Sequence, residues 1–182
     1  MTTIIAIRAT TNQGIVTAYT TLTNDHTACW LGDTVINTPN LQDGQRLGPH
    51  RHCDLTARIP HYLDAIDELT PPNTPVSILI SSPAISGQIC PGGRGSKQER
   101  VIMNRVMLAA CLAGACHDLY APVTMVSEGS AVGGVLEQHP RQSPVDGAKE
   151  SHEMRSVRNL AWYGVCMAKY EQLMAEFPEG DE

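Results

Sequence analysis

Hydrophobic and polar positions along the chain first alternate in short runs and later recur at helical intervals. Residues 3 to 9 (Thr-Ile-Ile-Ala-Ile-Arg-Ala) are apolar and β-branched, and the polar stretch Thr10 to Gly14 that follows has turn composition. A second strand is predicted over Ile15 to Leu22, a turn over Thr23 to His26, and a third strand over Thr27 to Ile36. Connections this short force an antiparallel meander, because a parallel pairing needs a long crossover.

The pattern then changes period. Residues 37 to 51 are rich in Asn, Pro, Gly and Gln and read as a long polar loop. Leu55, Ile59, Tyr62, Leu63, Ile66 and Leu69 then recur at intervals of three and four, as on one face of a helix. Pro60 falls inside that run, so the helix either is kinked there or starts its regular part near Pro60, a residue suited to a first turn.

Val76 to Ile80 is a continuous apolar run of strand length, which suits a central strand covered on both faces. After a Gly-rich loop over residues 86 to 96, a second helix is predicted from Lys97 to His117, apolar nearly all round and hence expected to be largely buried. A fifth strand reads over Pro122 to Val126, and residues 129 to 148 form a second long loop. The last helix is predicted from Lys149 to Met174, with Met154, Val157, Leu160, Ala161, Gly164, Val165 and Ala168 on one face.

The resulting order, β-β-β-α-β-α-β-α, implies an α/β fold: a mixed five-stranded sheet with helices on both faces. Residues 1 to 176 read as a single domain and 177 to 182 as an acidic tail. The chain has 182 residues, enough for one sizeable core, and its aromatic content of 4% leaves that core to aliphatic side chains.

Charge narrows the choice of partners. The formal net charge of −6 repels phosphate backbones overall, so any nucleic-acid site has to be a local basic patch. Six cysteines without regular spacing, together with a start that passes straight into a strand pattern, read as reduced thiols in a cytoplasmic protein. No apolar run reaches the roughly 18 residues of a membrane span.

In order and spacing the chain resembles the ribonuclease H-like superfamily, most of all the RuvC-type Holliday junction resolvases, with ribonuclease H as the near alternative. The residues that carry the resemblance are Ile4-Ile5-Ala6-Ile7 followed by Arg8 and, after the turn, Gly14; Val76 to Ser81; and Arg155 to Ala161 at the start of the last helix. The resemblance implies carboxylates at the end of the first strand, at the end of the fourth strand and in the first turn of the last helix, where they would converge on two magnesium ions. Aligned this way, those positions are Arg8, Ser81, Arg155 and Arg158. Guanidinium is a permanent cation and offers no lone pair, so this set is expected to hold an anion and no metal.

Alternatives stay open at each point. The arginines could instead pair with local acids such as Glu128, Glu150 or Glu153. Under the ribonuclease H resemblance, Asp54, Glu128 and Glu153 could form a rearranged site for Mg²⁺ or Mn²⁺ and make the chain an active endonuclease. The only sustained basic stretch holds Arg94, Lys97 and Arg100, with Arg105 beyond, and precedes a helix whose amino end would add to the pull on phosphate; it could equally be a plain surface loop. His50, His52, Cys53 and Asp54 match no zinc module spacing and are read as structural. His139 and His152 are read as polar surface. Met103, Met107, Trp162 and Met167 are read as core.

Two functional classes follow. One is a non-catalytic domain, without a cofactor, that binds nucleic acid (an RNA–DNA hybrid or branched DNA) or a protein partner. The other is a divergent metal-dependent endonuclease acting on the same nucleic acids.

Overall fold

In the computed structural model, residues 1–10, 14–37, 52–83, 97–120, 122–127 and 152–176 are described, with backbone alone along 52–57, 97–100 and at 152. The elements are β1 (Thr2–Ala9), β2 (Ile15–Leu22), β3 (Ala28–Ile36), α1 (His52–Glu68), β4 (Val76–Ser82), α2 (Lys97–Leu119), β5 (Val123–Ser127) and α3 (His152–Glu176). They occur in the order the hydrophobic pattern predicts.

The five strands form one mixed sheet in the order β3-β2-β1-β4-β5. β1 pairs antiparallel with β2, and β2 with β3. β4 lies parallel to β1, and β5 parallel to β4. The first turn is closed by Thr10, whose backbone amide and hydroxyl both donate to the Gly14 carbonyl.

β1 is central, and its alternation feeds two cores. Ile5, Ile7 and Ala9 pack with Tyr62 and Ile66 of α1 and Leu108, Leu112 and Cys116 of α2. Ile4 and Ala6 point the other way, against Val157, Leu160, Ala161 and Val165 of α3. Burial on both faces explains why this strand is apolar at nearly every position. α3 approaches so closely at Gly164 that an added Cβ would lie 2.7 Å from Leu79 Cδ1 and 2.8 Å from Ile4 Cγ2.

Several element ends differ from the sequence reading by one to three residues, and three features bear on the packing. α1 runs without a break through Pro60 and begins at His52, so its first two turns precede the proline. β4 continues to Ser82, because the parallel ladder with β5 extends past the apolar run as far as Ser82 and Ser127. α2 is one-sided rather than largely buried: Leu108, Ala109, Leu112 and Cys116 are covered, while Met103, Ala110, Cys111 and Leu119 are exposed. The outer side carries Met103, Ala110 and Cys111, small or unbranched residues that hydrophobicity alone scores as core, and Leu119 near its end.

Among the described residues no helix is long and apolar enough to cross a membrane. Cys29, Cys111, Cys116 and Cys166 are free thiols.

Candidate functional site

The carboxyl ends of β1 and β4 lie side by side, and the parallel register sets Arg8 directly opposite Ser81. Neighbouring strands are about 4.8 Å apart, so these two positions are in immediate proximity. Arg8 is 4% exposed and Ser81 5%. By the alternation of β1, Arg8 shares the face of Ile4 and Ala6, which is the face that α3 covers.

α3 runs opposite in direction to β1. Its carboxyl end is fixed at the β2–β3 turn, where His26 Nδ1 lies 2.8 Å from Gln172 Oε1 and His26 Nε2 lies 3.4 Å from Glu176 Oε1. That turn is beside the start of β1, since the amino terminus donates to Asn24 Oδ1 at 2.6 Å. From the contact of Gly164 with Ile4, nine helical residues rise about 13 Å toward the amino end of α3. Four strand residues carry β1 about the same distance, from Ile4 to Arg8. Arg155 therefore stands at the level of Arg8 and Ser81, on the exposed side of the helix.

Arg158 is one turn further in, and its guanidinium reaches sideways. Its Nε donates to Asp33 Oδ2 at 2.5 Å, with 23% and 16% of the two side chains exposed. Asp33 is on β3 in register with Ala18 of β2, which is in turn in register with Ala6 of β1. The acid that engages Arg158 is thus on the edge strand. Sequence reasoning missed Asp33; the available signal was that it is the sole charged residue in the third strand.

On the opposite face of the sheet, Arg105 of α2 donates from Nε to the Ala9 carbonyl at 2.9 Å, which brings a further guanidinium to the end of β1. Glu153 occupies the first turn of α3. The backbone of Asp54 is in the first turn of α1, and those of Lys97 and Arg100 are in the first turn of α2. Arg94, Glu128, Glu150, His139, most of the 37–51 loop, the 129–148 loop and the 177–182 tail lie outside the described residues.

Among the described residues, the four positions Arg8, Ser81, Arg155 and Arg158 do not by themselves suit a divalent cation. Mg²⁺ and Mn²⁺ require oxygen donors with negative charge, whereas Arg8, Arg155 and Arg158 are donors of hydrogen bonds only and Ser81 offers one neutral hydroxyl. Among the described residues, no three His, Cys, Asp or Glu side chains gather closely enough to hold a metal ion.

A separate cavity of about 470 Å³ lies at the other end of the sheet, lined by Asp67, Thr70, Asn73, Val76, Leu119 and Tyr120 among others. There the Tyr120 hydroxyl donates to Asp67 Oδ1 at 2.7 Å. Burial, and then the Asp67 carboxylate, hold the Tyr120 phenol well above its usual range.

Solved structures that resemble this chain over nearly its whole length include two of RuvC. One is Thermus thermophilus RuvC in complex with a Holliday junction substrate, with a TM-score of 0.57 and 10% identity, covering 93% of this chain and 96% of that one. Another Thermus thermophilus RuvC structure gives a TM-score of 0.50 and 12% identity, covering 93% of this chain and 97% of that one. No family model matches the chain, and no curated protein matches it by sequence. The likeness shows the fold, which is ribonuclease H-like.

Proposed function

We propose that this ribonuclease H-like chain is a non-catalytic domain that binds the phosphate backbone of nucleic acid at the carboxyl-end rim of its sheet. The observation that carries the reading is the register of Arg8 against Ser81, a buried cation beside a hydroxyl at the point where α3 begins. Guanidinium and hydroxyl groups are donors that complement phosphate oxygens, and a fork of N–H groups can grip two of them at once. Arg155 adds an exposed guanidinium at the same level, and the helix α2 carries Lys97 and Arg100 in its first turn.

Arg158 contributes less to this field than its position in the sequence suggests, because Asp33 offsets its charge. The likeness to a resolvase structure that holds a Holliday junction supports branched DNA as the ligand class, with RNA–DNA hybrids as the second substrate to test. A net charge of −6 confines the attraction to this rim and makes it sensitive to salt.

The test is fluorescence anisotropy of a labelled four-way junction and a labelled hybrid across a salt series, run beside a cleavage assay in Mg²⁺ and Mn²⁺. The expected result is binding that weakens linearly in log–log form as salt rises, without cleavage. Absence of both binding and a salt slope overturns the reading. Cleavage that is lost in Asp54→Asn replaces it with the metal-dependent endonuclease.

A further inference from the structure

We propose that the flank of α3 facing β3 is a track for unpaired nucleotides, with Trp162 and Trp30 as the surface on which a base stacks and with cations of α3 before and after it. This rests on the phosphate-binding reading of the rim and extends it, naming a single strand that continues from a duplex or junction held there.

Arg155, Arg158, Trp162 and Lys169 follow one another along α3 at intervals of three, four and seven, so they share one side of the helix. That side faces β3, because two members of the row are placed by contact. Arg158 donates to Asp33 at 2.5 Å, and the Trp162 ring stacks on Trp30 with centroids 6.2 Å apart and planes 20° from parallel. His26 against Gln172 fixes the far end of the same seam. From Arg155, at the level of the rim, to Lys169 the row rises about 21 Å.

The row is basic in a chain whose net charge is −6. Glu153 and Glu171 stand two positions from Arg155 and Lys169, which turns them to the other flank of the helix. Asp33, the acid of the seam, is engaged by Arg158, and Glu176 beyond the end of the row lies 3.4 Å from His26.

The chain has two tryptophans, and the fold brings both to this seam. They pack at the margin of the core that α3 covers, beside Ala28 and Ala168, and neither is fully buried. β3 is the outermost strand on this side of the sheet, so among the described residues no further strand covers the outer edge of the stack. A half-covered indole pair between guanidinium and ammonium groups suits a nucleobase, whose face stacks whatever its identity while the cations engage the phosphates on either side. A duplex keeps its base faces covered, so an unpaired nucleotide is the form that fits. An apolar protein surface is matched less well, because cations flank the rings in both directions along the helix.

Intrinsic fluorescence tests this, since both tryptophans are in the stack. Wild type is titrated with an oligodeoxythymidine of about 12 nucleotides, within the site sizes of single-strand binders. Affinities for the same oligonucleotide and for a fully paired four-way junction, each labelled, are read by anisotropy. The oligonucleotide is expected to quench the emission to saturation, and added salt to reverse the quenching. Trp162→Leu is expected to weaken the oligonucleotide about tenfold, with Trp162→Phe restoring most of the loss, and Lys169→Gln to weaken it with a flatter salt slope. All three variants are expected to hold the junction within about twofold of wild type. Oligonucleotide binding with no change in tryptophan emission, or an affinity that Trp162→Leu leaves intact, overturns the proposal. A wild type that binds the junction and not the oligonucleotide also overturns it, and leaves the reading of the rim standing. Oligonucleotide binding of the expected kind without junction binding keeps the stacking track and removes the rim as a junction site, and binding of neither removes both. Should Trp162→Leu lose the native circular dichroism spectrum, Trp30→Leu takes its place with the same expected outcomes.

Discussion

Arg158 of α3 and Asp33 of β3 are 125 positions apart in the chain and meet at 2.5 Å, so the last helix is tied to the far edge of the sheet by a charge-assisted hydrogen bond. The helix also packs over β1 and β2 through aliphatic contacts, with Gly164 close against Ile4 and Leu79. The pair adds a polar constraint on its rotation, beside the stacking of Trp30 on Trp162, whose ring centroids are 6.2 Å apart.

Asp33→Ala is expected to cost about 1–2 kcal/mol, above the range of exposed pairs because both side chains are mostly covered, and below that of a fully buried one. Urea denaturation followed by tryptophan fluorescence measures it. A loss under about 0.3 kcal/mol would show that the pair contributes no more than an ordinary surface pair.

The same residue bears on the proposed ligand. In Asp33→Asn the Arg158 charge is no longer offset, so affinity for a four-way junction is expected to rise and the salt slope to steepen by about one phosphate contact. Arg155→Gln is expected to act in the reverse direction, weakening binding to hybrids and junctions alike and flattening the slope by about one. Equal affinities in both variants and wild type would remove these two arginines from the interface.

Two glycines in helices are expected to respond with opposite sign. Gly114 has nothing within 4 Å of an added Cβ, so Gly114→Ala should stabilise by about 0.5–1 kcal/mol through helix propensity. Gly164 lies against Leu79 and Ile4, and overpacking there should outweigh the same gain, leaving Gly164→Ala destabilised by about 1–2 kcal/mol. Thermal melts of the two variants decide it.

Cys116 is fully buried, and burial pushes its thiol up to about 11 from an ordinary 9.0. Its neutral form is the one the fold favours, so the associated stability is present below pH 9.0 and is lost as pH rises toward about 11. Alkylation with iodoacetamide at pH 8, read by mass spectrometry, should modify the exposed Cys29 and Cys111 well before Cys116. Equal rates would mean that the α2 core opens on the labelling timescale.

Much of the fold was legible from spacing alone. The short connections fixed the meander as antiparallel, the apolar run Val76 to Ile80 announced a strand covered on both faces, and the aliphatic face of α3 was read residue by residue. What spacing does not carry is register between distant segments, so the partner of Arg158 was sought among nearby glutamates and is an aspartate on the edge strand. For α1, Leu55 and Ile59 already mark helix ahead of Pro60, but spacing does not choose between a helix that crosses the proline and one that starts at it, because a proline removes one hydrogen bond without revealing whether tertiary packing compensates for it. The neighbourhood of Arg8 and Ser81, by contrast, follows from placing strands one and four side by side, and the parallel ladder sets the two in register.

A guanidinium retains its proton at any acidity a cell attains. The charge that Arg8 brings to the end of β1 is therefore constant, unlike that of a histidine or a carboxylate in the same spot. Ionic strength, and not pH, is the variable that sets how far its field reaches into the surrounding water.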